Sequence, residues 1–160
     1  ARHEISDLER VSREALLEVR KAVTGFRHAG WDGELENARL ALTVAGVQLH
    51  TELAQVPLSP TQETVLAMVL REAVTNIVRH AHAQHCQVEL SHDGETLQLC
   101  IQDDGRGGHI VPGNGLSGMR ERIEQLNGRL QIESREGTRL CIHLPATRRL
   151  DLAQAWHHAA

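Results

Sequence analysis

Four clusters of polar and glycine residues interrupt the apolar pattern of this 160-residue chain, and each could hold part of a phosphorylated ligand. In Arg71-Glu72-Ala73-Val74-Thr75-Asn76-Ile77-Val78-Arg79-His80, the residues Glu72, Asn76 and Arg79/His80 recur at helical spacing and so share one helix face. A carboxylate and an amide oxygen suit Mg²⁺ or its waters, while arginine and histidine can meet phosphate oxygens. An ordinary solvated helix face has the same composition. The second cluster, Asp103-Asp104-Gly105-Arg106-Gly107, stands where an apolar alternation ends. A carboxylate fixed there can accept a hydrogen bond from an adenine amino group, and glycines let backbone approach the ring. Aspartate-glycine stretches are also common turn chemistry. Calcium loops begin in this way too, but this one lacks their alternating carboxylates and terminal glutamate. The third cluster, Gly113-Asn114-Gly115-Leu116-Ser117-Gly118-Met119-Arg120, runs from glycines into a helix start, where free amides can cradle phosphate. A plain flexible loop would look alike. The fourth, Glu136-Gly137-Thr138, could close a nucleotide pocket, although by itself it reads as a hairpin turn.

The elements that must position these clusters are legible from periodicity. Ile5, Leu8, Ser12, Ala15, Val19, Ala22 and Phe26 alternate spacings of three and four, the seam of a coiled coil or helical bundle. Three glycines between Gly25 and Gly33 then suggest a hinge or linker around Trp31. Leu35, Ala38, Leu42 and Ala45 mark a helix stopping at Gly46, and Val47–Leu53 alternates as a strand. Ser59-Pro60-Thr61-Gln62 reads as a capping box opening a long helix to about Ala83. Val88 and Leu90, then Leu97, Leu99 and Ile101, give two strands turning at Asp93-Gly94. A helix carrying Leu116, Met119, Ile123 and Leu126 follows and ends at Asn127-Gly128. Two further strands, Arg129–Ser134 and Thr138–Leu144, turn at Glu136-Gly137, and the tail from Ala146 lacks a pattern. Helices covering one face of a mixed or antiparallel sheet are therefore expected.

Composition narrows the function classes. With 41% hydrophobic and 24% charged residues the chain is ordinary for a soluble domain, and no apolar run reaches a membrane span. A net charge of −4 and only 2% aromatics argue against nucleic acid as a partner. The first twenty residues do not read as a signal peptide. The eleven histidines are scattered without metal-ligand spacing. Cys86, Cys100 and Cys141 are odd in number and lack CxxC spacing, so buried reduced thiols and a cytoplasmic setting are expected.

Taken in order, the four clusters resemble the catalytic ATP-binding domain of sensor histidine kinases in the gyrase/Hsp90/histidine-kinase/MutL superfamily. REAVTNIVRHA looks like the N box of the NarX/DesK-type kinases, DDGRG like their G1 box, GNGLSGMRERI like their G2 box and GTRLCIHLP like their last strand; together they cover about Leu58 to Pro145. The resemblance implies an α+β fold, a two-layer α/β sandwich of the Bergerat type with a mixed, mostly antiparallel sheet preceded by a long N-terminal helix. It implies ATP and Mg²⁺ as cofactors. Asn76 would bind the metal, with Glu72 holding it or its waters, and both would serve catalysis. Asp103 would recognise adenine, and Gly105 and Gly107 would shape the pocket. Gly113, Gly115 and Gly118 would belong to the lid and phosphate contacts, with Leu116 and Met119 beside them. Thr138 would sit near adenine, and Arg79 and His80 would help position phosphates. The lid between Gly107 and Gly115 is short and lacks a phenylalanine of the longer-lid kinases, which fits this subfamily.

LERVSREALLEVRKAV also resembles the second helix of the family's dimerisation and phosphotransfer domain, giving residues 1–27 to that helix, 28–33 to a linker, 34–146 to the catalytic domain and 147–160 to a tail. The first helix, with its acceptor histidine, is missing; His3 begins the wrong helix without the surrounding motif, and His92 sits at the predicted hairpin turn. The implied activity is transfer of the ATP γ-phosphoryl to that absent histidine, for relay to an aspartate on a response-regulator receiver domain. This chain alone is then not expected to autophosphorylate. The intact kinase would be a homodimer through the N-terminal helix, with membrane attachment only through segments absent here. An ATPase or serine kinase of the same superfamily, and a nucleotide-binding regulatory module without transfer, are the alternative readings.

Overall fold

A computed structural model of the chain describes residues 10, 11, 14, 15, 30–107 and 114–147. Most of the predicted N-terminal seam, Gly113 and the tail from residue 148 lie outside the described residues. Residues 10, 11, 14 and 15 are helical, in line with the expected N-terminal helix. The order that follows is α1 (Gly30–Val44), β1 (Gln48–Leu53), α2 (Pro60–Asn76), a π-helical turn (Ile77–Ala81), β2 (His85–His92), β3 (Thr96–Asp103), α3 (Asn114–Gln125), β4 (Arg129–Arg135) and β5 (Gly137–Pro145).

The five strands form one mixed sheet in the order β1-β2-β3-β5-β4. β1 runs parallel to β2 and the other neighbours are antiparallel. Alternation decides which face is buried. Val88, Leu90, Leu99, Ile101, Leu140 and Ile142 point to the helices and join Leu66, Val69, Leu70 and Ile123 in a single core. The expected α+β layer with helices on one face is what forms.

The first two of these helices have identifiable starts. The Ser59 side chain accepts the Gln62 N–H at 3.2 Å and the Gln62 side chain accepts the Ser59 N–H at 3.1 Å, the capping box read from sequence. Gln62 also donates to the Pro145 carbonyl at 2.8 Å, which ties the start of α2 to the end of β5. α1 begins at Gly30, so residues 30–33, assigned to a linker by their glycines, are helical. The reason is tertiary: Glu63 of α2 accepts the Trp31 N–H at 3.0 Å, placing a carboxylate at the N-terminus of α1. Trp31 itself is in the core.

Two further expectations are corrected. The long helix does not run as regular α-helix to Ala83 but widens into the π turn after Asn76 and stops at His82, whose φ is 49°. Cys100 and Cys141, expected to be reduced, are joined in a disulfide. They are opposite one another in the β3–β5 register, with Cα atoms 4.2 Å apart. Cys86 is free and buried, and burial, helped by the charges of Asp103 and Asp104, pushes its thiol up to about 12. No helix among the described residues is long and apolar enough to cross a membrane.

Candidate nucleotide-binding site

Between α2, the ends of β3 and β5, and the start of α3 lies a cavity with an apolar floor and a few polar groups. Ala73, Ile77, Ala81, Ile101 and Leu140 supply the apolar lining, and Asn76, His80, Asp103, Arg106, Leu116 and Thr138 complete it. Ala73, Asn76, Ile77, His80 and Ala81 come from one face of α2 and the π turn that continues it. Asp103 ends β3 and Thr138 is the second residue of β5, so the sheet register brings both to the same end of the cavity. An apolar lining with one convergent carboxylate suits an aromatic ring that carries an amino group.

Asp103 is only 4% exposed. Its Oδ1 accepts the Gly105 N–H at 2.9 Å, and the carboxylate also accepts the Thr138 N–H. Burial raises its pKa; the two backbone donors oppose that, and the charge of Asp104 adds to it. Asp104 faces the other way. It accepts the N–H groups of Gln84 and His85, each at 2.8 Å, and its Oδ2 lies 2.7 Å from His85 Nδ1. The backbone and ring of His85 hold its pKa down at about 2. The adjacent aspartates are thus divided: one lines the cavity and the other fastens the start of β2.

Close backbone approach explains the G1-like glycines. A Cβ on Gly105 would collide with the Ala81 carbonyl, and one on Gly107 with the Arg135 backbone. The Arg106 N–H donates to the Ala81 carbonyl at 2.6 Å, so this loop is pinned to the end of the π turn. A Cβ on Gly115 would lie 2.8 Å from Glu72 Oε1, so the Glu72 carboxylate stands against the first turn of α3 and is not among the residues lining the cavity. Gly118 has open space around its Cβ position, and Met119 is 1% exposed in the core beneath α3. Arg79 does not line the cavity either; its Nε is 3.9 Å from a Glu14 carboxylate oxygen.

Of the residues singled out from sequence, the structure therefore gathers Asn76, His80, Asp103, Leu116 and Thr138 around one cavity, with Gly105 and Gly107 behind it. Glu72 and Gly115 meet at its edge. Sequence reasoning passed over the apolar floor, although Ala73 and Ile77 stand four apart on either side of Asn76. It also gave no individual role to Arg106 or Gly137, although both lay inside recognised clusters; the φ of 86° at Gly137 and its closeness to the Asp103 carbonyl leave no room for a side chain. No group of three or more His, Cys, Asp or Glu residues able to hold a metal occurs among the described residues.

Comparison with known proteins identifies the family. Residues 61–148 match the sequence model of the histidine kinase-, DNA gyrase B-, and HSP90-like ATPases. The chain is 34% identical over 151 residues to the sensor histidine kinase DesK of Bacillus subtilis, covering 91% of this chain and 41% of that protein. It is 32% identical over 152 residues to the sensor histidine kinase YvfT of the same organism, covering 92% and 41%. It thus spans about two fifths of these relatives. The histidine kinase domain of the blue-light activated histidine kinase of Erythrobacter litoralis EL346 has the same fold, with a TM-score of 0.64 at 20% identity, over 89% of this chain and 76% of that one. With the motifs in order, the cavity at their meeting point and a family match over more than half its length, the chain belongs to the histidine kinase-, DNA gyrase B-, and HSP90-like ATPase family, as an ATP-binding catalytic domain of the NarX/DesK histidine-kinase type.

Proposed function

We propose that this chain supplies the ATP side of a histidine-kinase reaction, in which the γ-phosphoryl passes to a histidine outside these 160 residues and then to an aspartate of a response regulator. The observation that carries this reading is the buried Asp103 carboxylate at the end of an apolar cavity, held by two backbone N–H groups beside Asn76. In this reading Asp103 accepts the adenine amino group, the apolar floor takes the ring, and Thr138 fixes the carboxylate. His80 and the amides at the start of α3 face the phosphates. Asn76 and Glu72 would hold Mg²⁺: their oxygen donors are hard, and Glu72 has no hydrogen-bond partner among the described residues, while phosphates and water would fill the remaining positions. When bound, the metal would offset phosphate charge. The protein's own contribution is to position the nucleotide and exclude water from it.

The N-terminal helix would pair with its counterpart in a dimeric kinase, and Glu14–Arg79 links that helix to the catalytic domain. The position of Glu72 against α3, instead of at the cavity lining, favours a metal or lid role over activation of a water, and so favours transfer over hydrolysis. Calorimetry with a non-hydrolysable ATP analogue tests the site. Magnesium-enhanced binding that is lost in Asp103→Ala and weakened in Asn76→Ala is expected, followed by phosphorylation of an added phosphotransfer domain of the same kinase type. Tight binding without transfer to any such domain would instead make the chain a nucleotide-responsive regulatory module.

A further inference from the structure

We propose that Arg106 is a phosphate-binding residue of the nucleotide site, taking the place that the sequence pattern gives to Arg79. This deepens the ATP-binding reading and rests on it. Of the two arginines flanking the site, Arg79 is turned toward Glu14 and does not line the cavity. Arg106 does line it, together with Asn76, His80 and Leu116, and it is the single arginine or lysine among the lining residues.

Three features separate Arg106 from an ordinary solvated arginine. Its backbone is fixed, because its N–H donates to the Ala81 carbonyl at 2.6 Å. Both neighbours are glycines pressed against other backbone, Gly105 on Ala81 and Gly107 on Arg135, so the loop cannot shift far or carry a competing side chain at either position. A rigid backbone lowers the entropy lost when the side chain is ordered on a ligand. Finally, Arg106 has no ion-pair or hydrogen-bond partner for its side chain among the described residues. The carboxylates nearest in sequence are taken, Asp103 by Gly105 and Thr138 and Asp104 by Gln84 and His85. Among the described residues a guanidinium without a partner is thus left on the lining of a cavity whose own carboxylate would repel a polyphosphate. Its planar fork suits phosphate oxygens in a way that a ribose hydroxyl or an adenine ring does not require.

The test is an affinity ladder, measured by calorimetry on the whole chain with adenosine, AMP, ADP and a non-hydrolysable ATP analogue, for the wild type, Arg106→Ala and Arg106→Lys. Loss of a charged hydrogen bond should weaken ADP and the ATP analogue by about tenfold or more in Arg106→Ala, leave adenosine unchanged, and be partly restored in Arg106→Lys. Thermal melting of each variant without ligand reports whether the loop is intact. An equal loss for adenosine would make Arg106 a structural residue, and unchanged affinity along the ladder would make it a bystander; either overturns the proposal while leaving the ATP site standing. Absence of any nucleotide binding by folded wild-type protein would overturn the ATP-binding reading and this inference with it.

Discussion

A carboxylate under an apolar surface is disfavoured as an anion unless donors surround it, and Asp103 has two backbone donors that only partly compensate its burial. Its raised pKa means that the neutral form appears at a higher pH than the ordinary 3.8. A protonated carboxyl is a poorer acceptor for an amino group, so affinity for adenine nucleotides should fall on acidification, beginning above the usual carboxylate range. The sign for folding is opposite: the buried charge disfavours the folded state at neutral pH, and that penalty fades as Asp103 is protonated. Calorimetric titrations across acidic pH check this; a wild-type profile as flat as that of Asp103→Asn would refute it. Asp104 behaves in reverse. Its depressed pKa, about 2, stabilises the fold above the ordinary value of 3.8, and this contribution is lost as pH falls toward 2. Because its side chain is 46% exposed, solvent screening reduces the effect to on the order of 1 kcal/mol. Urea melts of Asp104→Asn should show that deficit at pH 7 and a shrinking one below about pH 4. The types of these two residues were plain in the sequence. That adjacent aspartates would serve opposite sides of the strand end follows from strand alternation, but their partners, Thr138 and His85, come from other strands.

At the scale of elements, the site depends on α2, and α1 fixes α2 from behind. Arg71, one residue before Glu72, donates from Nη2 and Nε to Glu34 Oε2 at 2.7 and 3.2 Å. The pair is asymmetric, since the Glu34 side chain is 8% exposed and that of Arg71 60%. The hydrogen bond to Glu34 raises the Arg71 pKa, with burial opposing it. Removing the arginine strands a buried carboxylate, whereas removing the glutamate frees a cation that water already reaches. Arg71→Ala should therefore lower stability by about 2 kcal/mol and Glu34→Ala by clearly less. Chemical denaturation of both variants decides; equal losses would mean that the pair acts only through its packing. The capping box of α2 was readable because all its groups lie within four residues. The start of α1 was not, because Gly25, Gly30 and Gly33 signal a break and the group that caps the helix, Glu63, belongs to α2. The π turn was equally hidden. Its Ala81 carbonyl is used by Arg106, a partner that spacing along one helix cannot disclose.

Over the whole molecule, the neighbouring strands β3 and β5, which carry Asp103 and Thr138, are also joined by Cys100–Cys141. The bond spans a sequence separation of 41, for which restriction of the unfolded chain predicts at most about 4 kcal/mol of stabilisation. Cys141→Ser should lower stability by about 2–4 kcal/mol under non-reducing conditions, and reductant should take a similar amount from the wild type. Denaturation curves with and without reductant check both; curves that coincide would show that the bond does not form in solution. An odd cysteine count without CxxC spacing pointed to free thiols, and only the register of β3 on β5 puts these two opposite each other. What the sequence by itself determined was whatever depends on near neighbours: helix and strand periods, turns, the capping box, and the order of four clusters that names the family. The tertiary structure decided what depends on segments far apart. It chose the cysteine pair, the carboxylate that starts α1, and Arg106 over Arg79 as the cation at the cavity, because sheet register and helix packing, not spacing along the chain, set the distances among those groups.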